Sequence, residues 1–356
     1  MTADRFHDKP FDEGTLTKLE ILEGYAKAWL PVFLSQAPSL WREMHIFDFF
    51  AGPGQDSAGQ PGSPLRLLRQ LAAAKTIYRG WPEVRVHLHL FDSSPRKIAV
   101  LKGRIAGPCA SLGDIGVRVE ALGFQQSFPA SQPILKRKKA AKLVLIDQYG
   151  VSHVSDEIFR TLVDAPACDF LFFISSSTLH RFRDHHAIKP KIKRPDDFFH
   201  VHQAACDYYR SLLPTGSKYF LGRFSLRKGT NIYGVIFGSG HPLGMDKFLE
   251  VAWRADPVNG EADFDINRDN FGPLSALLPP SKLQVFEADL EARIKQAGVN
   301  TEADVIGVCF AHGVRRIHAV PVLKRLKKEG AIDYDFRAPD IRRLRNPRPL
   351  HLQDVS

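Results

Sequence analysis

The chain is poor in the residues that build sulfur-based sites and membrane spans. Only four of its 356 residues are cysteine, which argues against a disulfide scaffold. They lie far apart, at Cys109, Cys168, Cys206 and Cys309. No pair has metal-ligand spacing, so we predict buried free thiols and no metal site. No apolar run reaches the roughly 18 residues of a membrane helix. The start also lacks a secretory apolar core, so we expect a cytoplasmic protein without membrane contact.

Negative charge is also in short supply. Lysine and arginine total 49 against 39 acids, which gives a net charge of +10. This excess favours a polyanionic partner, DNA or RNA. Basic residues cluster between Leu179 and His202, and the run Lys136–Lys139 adds to them. We predict phosphate contacts from the cluster residues Arg181, Arg183, Lys189, Lys191, Lys193 and Arg194.

Strands and helices alternate through the first two thirds of the chain. An amphipathic helix over Thr15–Trp29, with Thr15 able to cap it, occupies an N-terminal helical segment, residues 1–42. Strands and helices then alternate over residues 43–245, which predicts a doubly wound parallel sheet. Two β-rich runs around Arg227-Lys228-Gly229 read as a closing hairpin. We therefore predict an α/β fold with the seven-stranded, Rossmann-like sheet of class I methyltransferases.

Residues 246–356 have a different character. Helices are predicted over Ser281–Ala297, Thr301–His312 and Pro321–Glu329, and an extended segment follows at Ala331–Phe336. Three helices followed by a strand indicate a helical domain similar to a winged helix. The segment Arg342–Arg348 is rich in arginine, and we expect it to be a mobile basic tail.

A glycine-rich turn follows the first predicted strand and is the most informative motif. The strand ends in Asp48, and Gly52 and Gly54 let the backbone approach a ligand closely. The next helix begins only near Pro64, whereas a dinucleotide fingerprint opens a helix directly. The enlarged loop favours a ligand without a pyrophosphate, S-adenosylmethionine, whose amino end Asp48 could reach. The predicted cofactor-binding residues of this loop are Asp48, Phe50, Ala51, Gly52 and Gly54.

Two further strand ends complete the predicted site. Asp92 and Ser93 end the second strand of the sheet, where an acid can accept both hydroxyls of a ribose. Asp147 and Tyr149 follow the fourth strand, where enzymes that methylate exocyclic amines carry a polar group and an aromatic residue. We predict that Asp147 accepts the amine hydrogens and that Tyr149 stacks on the base. Gln148 stands where such enzymes carry proline. A cytosine-C5 methyltransferase is disfavoured because no cysteine nucleophile follows this strand.

With these motifs the chain resembles the three-Cys-motif partner protein family (TcmP). The matching segments are Thr17–Leu22 with Tyr25 and Trp29, Asp48–Gly54 with Gly62–Leu65, Asp147–Gly150, Asn231–Tyr233 and His318–Ile332. The resemblance implies a class I methyltransferase fold with a helical C-terminal appendage. It also implies a physical partner, a phage-type protein with a three-cysteine, radical-enzyme-like motif.

These patterns support two functions. The first is an S-adenosylmethionine-binding, methyltransferase-like protein that acts on nucleic acid. The second is a catalytically inactive Rossmann scaffold, whose C-terminal module binds nucleic acid and recruits a partner enzyme. Gln148 favours the scaffold, and the acids Asp48 and Asp92 favour the first reading. An enzyme that uses another adenine nucleotide is disfavoured, because no phosphate-cradling glycine pattern opens a helix directly.

Overall fold

The structure is a computed structural model that describes residues 9–37, 39–113, 115–147, 154–175, 201–228, 231–258, 260 and 280–353. The chain divides into two compact units. We call Met1–Gly244 the N-terminal unit and Met245–Ser356 the C-terminal unit.

The first helix begins earlier and ends later than its sequence pattern indicates. Helix α1 spans Glu13–Leu34. Its N-cap is Asp12, whose carboxylate accepts the backbone N–H of Thr15 at 2.9 Å, so the expectation of Thr15 as the cap is wrong. The helix also continues through Pro31 for another turn, and Ser35 N–H closes that turn on the Pro31 carbonyl. A carboxylate three residues upstream is the stronger cap because its charge also suits the helix dipole.

A seven-stranded sheet forms the core of the N-terminal unit. Its strands are β1 (Glu43–Asp48), β2 (Arg85–Phe91), β3 (Gly116–Glu120), β4 (Ala140–Ile146), β5 (Cys168–Ser175), β6 (Phe220–Lys228) and β7 (Asn231–Ser239). The order across the sheet is β3-β2-β1-β4-β5-β7-β6. The first five strands are parallel, and β7 pairs antiparallel with both β5 and β6. The hairpin therefore closes the sheet by inserting its second strand, which confirms the predicted methyltransferase-like α/β fold.

Helices of the N-terminal unit connect the strands, and one of them has no clear sequence signal. They are α2 (Ser63–Ile77), α3 (Pro95–Leu112), α4 (Phe124–Leu135), α5 (Asp156–Asp164) and α6 (Val201–Ser211); α7 (Pro242–Ala255) follows β7 and lies mostly in the C-terminal unit. Helix α4 contains Pro129 and Pro133, two residues that normally end a helix. It persists because Phe124 and Phe128 are buried in the core.

The face of β1 and β2 with histidines is buried, although its sequence reads as polar. His45 Nδ1 lies 3.0 Å from His89 Nε2, and the His89 ring stacks on Phe47 at 4.4 Å. Burial lowers the pKa of His45 to about 4 and that of His89 to about 3. Both rings are therefore neutral at neutral pH and pack as aromatic core, because both faces of a parallel sheet are covered.

The described residues of the C-terminal unit form three further α-helices and a small hairpin. These are α8 (Lys282–Lys295), α9 (Glu302–Ala311), α10 (Ala319–Lys328), β8 (Ile332–Tyr334) and β9 (Leu350–Leu352). Strands β8 and β9 pair antiparallel. Thr301, between α8 and α9, forms an antiparallel bridge with Pro349 at the start of β9.

The arginine-rich segment expected to be a mobile tail is instead the connection between β8 and β9. Arg342 pairs with Asp340 at 2.9 Å. Arg348 donates to the fully buried carboxylate of Glu302 at 3.0 Å. Ion pairs and the hairpin therefore hold this segment against its own unit. None of the described helices is long and apolar enough to cross a membrane.

Candidate functional site

Three carboxylates meet at the carboxyl ends of adjacent strands. Asp48 is the last residue of β1, and it is in register with Leu90 on β2 and Leu145 on β4. Asp92 and Asp147 each follow two residues after those partners. Because β2, β1 and β4 are neighbours, the three side chains share one edge of the sheet, where open α/β folds bind ligands.

Asp48 is the most unusual of the three. Its side chain is almost fully buried, and its Oδ1 accepts the backbone N–H of Phe50 at 3.1 Å. Its Oδ2 is buried without a hydrogen-bond partner in the described part of the chain. The pKa of Asp48 is raised to about 6, mainly by burial; the charges of Asp147 and Asp92 add to the rise, and the nearby Ser63 hydroxyl and Phe50 N–H oppose it. A buried carboxylate oxygen without a donor is costly and suits a cationic or hydrogen-bond-donating ligand.

Asp92 organises the glycine turn as well as the strand end. Its Oδ2 accepts the N–H of Gly52 at 3.1 Å, and its Oδ1 accepts the N–H of Ser94 at 2.9 Å. A carboxylate oxygen has two lone pairs, so each oxygen can still accept a hydroxyl. Gly52 and Gly54 have φ of 60° and 89°, the left-handed region that favours glycine. Ser93 is exposed beside them.

The long loop predicted before α2 folds back on itself. Gln55 and Pro61 form an antiparallel bridge, and the N–H of Gly62 donates to the Gly54 carbonyl at 2.8 Å. The two ends of the seven-residue segment 55–61 are therefore paired with each other, and this pairing places Gly54 next to the start of α2. The part that faces the sheet edge is short, so loop length by itself does not discriminate between ligands.

Two residues that the sequence analysis did not single out stabilise this loop. The carboxylate of Asp56 accepts the backbone N–H of Phe11, Ala58 and Gln60. Burial raises the pKa of Asp56, but these hydrogen bonds outweigh it and lower the pKa overall. Arg104 of α3 donates to the Pro53 carbonyl at 2.8 Å. The Asp-x-x-Gly spacing of Asp56 and Gly59 is a turn signal that predicts the first role; nothing local predicts the second.

Asp147 is engaged by a residue from the other end of the unit. Lys18 of α1 forms an ion pair with Asp147 Oδ2, and its ammonium lies 5.0 Å from the ring centroid of Phe173 on β5. Helix α1 therefore reaches the edge where Asp147 was predicted to accept a substrate amine. Phe50 and Phe124 stack nearby with ring centroids 5.7 Å apart. Tyr149 lies outside the described residues.

The predicted nucleic-acid residues from Arg181 to Arg194 also lie outside the described residues. Net charge nevertheless separates the two units. The C-terminal unit has 17 Lys and Arg and 17 Asp and Glu, so the whole excess of +10 belongs to the N-terminal unit. The run Lys136–Lys139 precedes β4, whereas Asp147 follows it, so this run lies at the opposite edge of the sheet from the three carboxylates. The described residues contain no group of three or more His, Cys, Asp or Glu that could hold a metal ion.

Comparisons with known proteins add similarity of shape only. No family model matches the chain, and no curated protein matches its sequence. The chain is similar to the O-methyltransferase TomG from Streptomyces achromogenes, solved with S-adenosylmethionine, at 11% identity over 67% of this chain and 98% of that one, with a TM-score of 0.33.

Two further solved structures are similar to a comparable extent. A methyltransferase from Geobacter sulfurreducens matches at 9% identity over 64% of this chain and 79% of that one, with a TM-score of 0.31. A SAM-dependent methyltransferase from Agrobacterium tumefaciens matches at 11% identity over 64% and 62%, with a TM-score of 0.33. Likeness at this level carries no argument about chemistry, which has to come from the site itself.

Proposed function

We propose that the chain is an S-adenosylmethionine-binding, methyltransferase-like protein that acts on nucleic acid. The observation that carries this proposal is the buried Oδ2 of Asp48, which has no hydrogen-bond partner among the described residues and lies beside the left-handed glycines Gly52 and Gly54. The ammonium of the cofactor's methionine part supplies both the positive charge and the hydrogen that this oxygen lacks. Asp92 would accept the ribose hydroxyls. Phe50, Ala51 and Ser93 would line the same edge.

The cofactor, when bound, supplies an activated methyl group on a sulfonium. The protein's part is to position the acceptor, because such a methyl needs little further activation. Asp147 is the group that would accept the hydrogens of an acceptor amine, with Tyr149 stacking on the base. For that role, Lys18 would have to release Asp147.

The ion pair between Lys18 and Asp147 also supports the second candidate, a catalytically inactive scaffold. In that case Asp147 is structural, and the chain presents nucleic acid to a partner enzyme. The chain order of the C-terminal unit supports a winged-helix-like module: helix α8, the bridge at Thr301, helices α9 and α10, then the β8–β9 hairpin. The resemblance to the three-Cys-motif partner family adds a proposed partner with that motif, testable by co-purification of the two expressed proteins.

Titration calorimetry with S-adenosylmethionine tests the first proposal. We expect saturable binding, and we expect Asp92→Ala to abolish it. Asp169→Asn is the matched control. Asp169 is equally buried, but it lies near the start of β5, at the other edge of the sheet, where it accepts the hydroxyl of Tyr25. No binding at millimolar cofactor would overturn the cofactor assignment, and unchanged affinity in Asp92→Ala would overturn the ribose contact.

A further inference from the structure

A second basic surface lies at the amino-terminal edge of the sheet, away from the three carboxylates. It is built where β1, β2 and β4 begin, and its members are Arg42, Arg85, Lys136, Arg137, Lys138 and Lys139. All six are exposed. We call this set the amino-edge cluster.

Backbone hydrogen bonds hold the cluster together. The N–H of Arg42 donates to the Lys139 carbonyl at 3.4 Å, and the N–H of Arg85 donates to the Arg42 carbonyl at 3.0 Å. Arg42 and Lys139 immediately precede β1 and β4, and Arg85 is the first residue of β2, so their backbones lie on adjacent segments about 5 Å apart. Lys136–Lys139 form the turn between α4 and β4, and these hydrogen bonds fix the end of that turn beside the starts of β1 and β2.

The acids near this edge of the sheet pair with only some of the side chains of the amino-edge cluster. Glu43 accepts from Arg85 at 2.7 Å and from Arg137 at 2.7 Å, and it also contacts His45. Glu83 accepts the backbone N–H of Ser39. Asp164, at the end of α5, is the exposed acid before the next strand. In the described part of the chain no acid pairs with the four side chains Arg42, Lys136, Lys138 and Lys139.

We infer that the amino-edge cluster binds the phosphate backbone of a nucleic acid, separately from the predicted acceptor site. The inference rests on the proposed nucleic-acid substrate. It is supported by exposed cationic side chains that have no acidic partner among the described residues and that meet at one edge of the sheet, in the unit that carries the whole net charge of +10. An anionic membrane is the less favoured partner, because the six cluster residues are all cationic and Leu40 is the exposed large apolar side chain nearest to them in the described sequence.

This position constrains the substrate's length. Lys139 and Asp147 flank β4 and are eight residues apart, or about 26 Å at the usual rise of a strand. At 3.4 Å per base pair, a duplex that reaches both edges must span at least roughly eight base pairs. The cluster therefore favours a long nucleic acid over a free nucleotide or a short oligomer.

The test compares two fourfold alanine variants that remove equal charge. The first replaces Arg42, Lys136, Lys138 and Lys139. The matched control replaces Lys324, Lys328, Arg343 and Arg345, exposed residues of the electroneutral C-terminal unit. Binding to a duplex of about 20 base pairs is measured as a function of salt. We expect the first variant to lower the slope of log K against log salt by about three to four, with at least roughly a tenfold loss of affinity near 0.1 M salt, and the control to change little.

Binding of both variants to phosphatidylglycerol vesicles is measured alongside. Three results would overturn the inference: an unchanged salt slope in the first variant, an equal loss of duplex affinity in both variants, or a loss of affinity in the first variant for the vesicles but not for the duplex. Calorimetry with S-adenosylmethionine on the same variants keeps the two proposals apart. Because the four residues are exposed and unpaired, we expect cofactor affinity and melting temperature to stay at the wild-type value. Failure of the wild type to bind the cofactor would overturn the proposed function. Phosphate binding by the amino-edge cluster would then still be tested by the salt slopes.

Discussion

The two units of this chain differ in their balance of charge. In the C-terminal unit acids and bases are equal in number, and arginines such as Arg325 and Arg348 are paired with Glu291 and Glu302 of the same unit. In the N-terminal unit bases exceed acids by ten, and Asp48 Oδ2 is buried without a hydrogen-bond partner among the described residues. Charge that is paired inside a unit is not free to bind a ligand, whereas unpaired charge is available to one.

The structure shows where the excess charge lies, which composition does not. The net charge of +10 favours DNA or RNA as a partner, and the arginine-rich segment Arg342–Arg348 was expected to be a mobile basic tail. The structure assigns the whole excess to the N-terminal unit and pairs Arg342 and Arg348 with acids. A run of basic residues is thus evidence of a binding surface only where those residues are not already paired with acids of the same chain.

The largest expected effect is on the stability of the C-terminal unit. Glu302 is fully buried and accepts from the N–H of Asp340 and from the backbone and guanidinium of Arg348. Glu302→Ala leaves these donors without a partner, and we expect a loss of about 3 kcal/mol in the stability of the C-terminal unit. Chemical denaturation followed by circular dichroism measures it. The control Glu329→Ala, an exposed position, should cost less than about 0.5 kcal/mol. Equal losses in both variants would contradict the internal-pairing account.

A smaller effect is expected at the glycine turn of the other unit. Gly54 has a φ of 89°, and a Cβ there would lie 2.8 Å from Leu101 Cδ1. Gly54→Ala should cost about 2 kcal/mol from strain and crowding together. Gly59 has a φ of 80° with no atom within 4 Å of the added Cβ, so Gly59→Ala should cost about 1 kcal/mol from strain alone. Thermal denaturation of both variants checks this difference, and equal costs would mean that α3 does not support the turn.

The smallest effect is the pH dependence of cofactor affinity. The pKa of Asp48 is raised to about 6, so its carboxylate is neutral in a growing fraction of molecules as the pH falls below that value. A cationic ligand needs the ionised form, and we expect affinity to fall about tenfold per pH unit below pH 6. Calorimetry between pH 5 and pH 8, a range set by this pKa, measures the dependence.

The matched variants separate this titration from a general effect of pH. Asp48→Asn should bind weakly and without the pH dependence, whereas Asp169→Asn should keep it, although burial also raises the pKa of Asp169 to about 6. The stability of the unliganded protein should move the other way. A raised carboxyl pKa stabilises the fold below the pKa of the unfolded chain, and that contribution is lost as the pH rises through 6. A pH-independent affinity in the wild type would contradict the role of Asp48.

Local patterns were sufficient for the main elements of the fold. Apolar runs that end in an acid predicted β1, β2 and β4, and the two β-rich runs around Gly229 predicted the closing hairpin. These predictions were possible because a buried strand consists mainly of apolar residues, a pattern that is visible in the sequence. Helix α4 was missed, because Pro129 and Pro133 argue against a helix that only core packing maintains.

The chain's own sequence therefore determined which residues stand at the strand ends and that Asp48 and Asp92 share an edge, since parallel strands carry their carboxyl ends to the same side. Tertiary structure alone decided that Lys18 pairs with Asp147, which lies 129 residues away in the sequence. It also decided that the loop 55–61 is closed by a bridge between its two ends, and that Lys136–Lys139 lies at the opposite edge of the sheet from Asp147. The reason is physical: periodicity and turn chemistry act between neighbours in sequence. Contacts between distant segments depend instead on how whole elements pack, which no local pattern records.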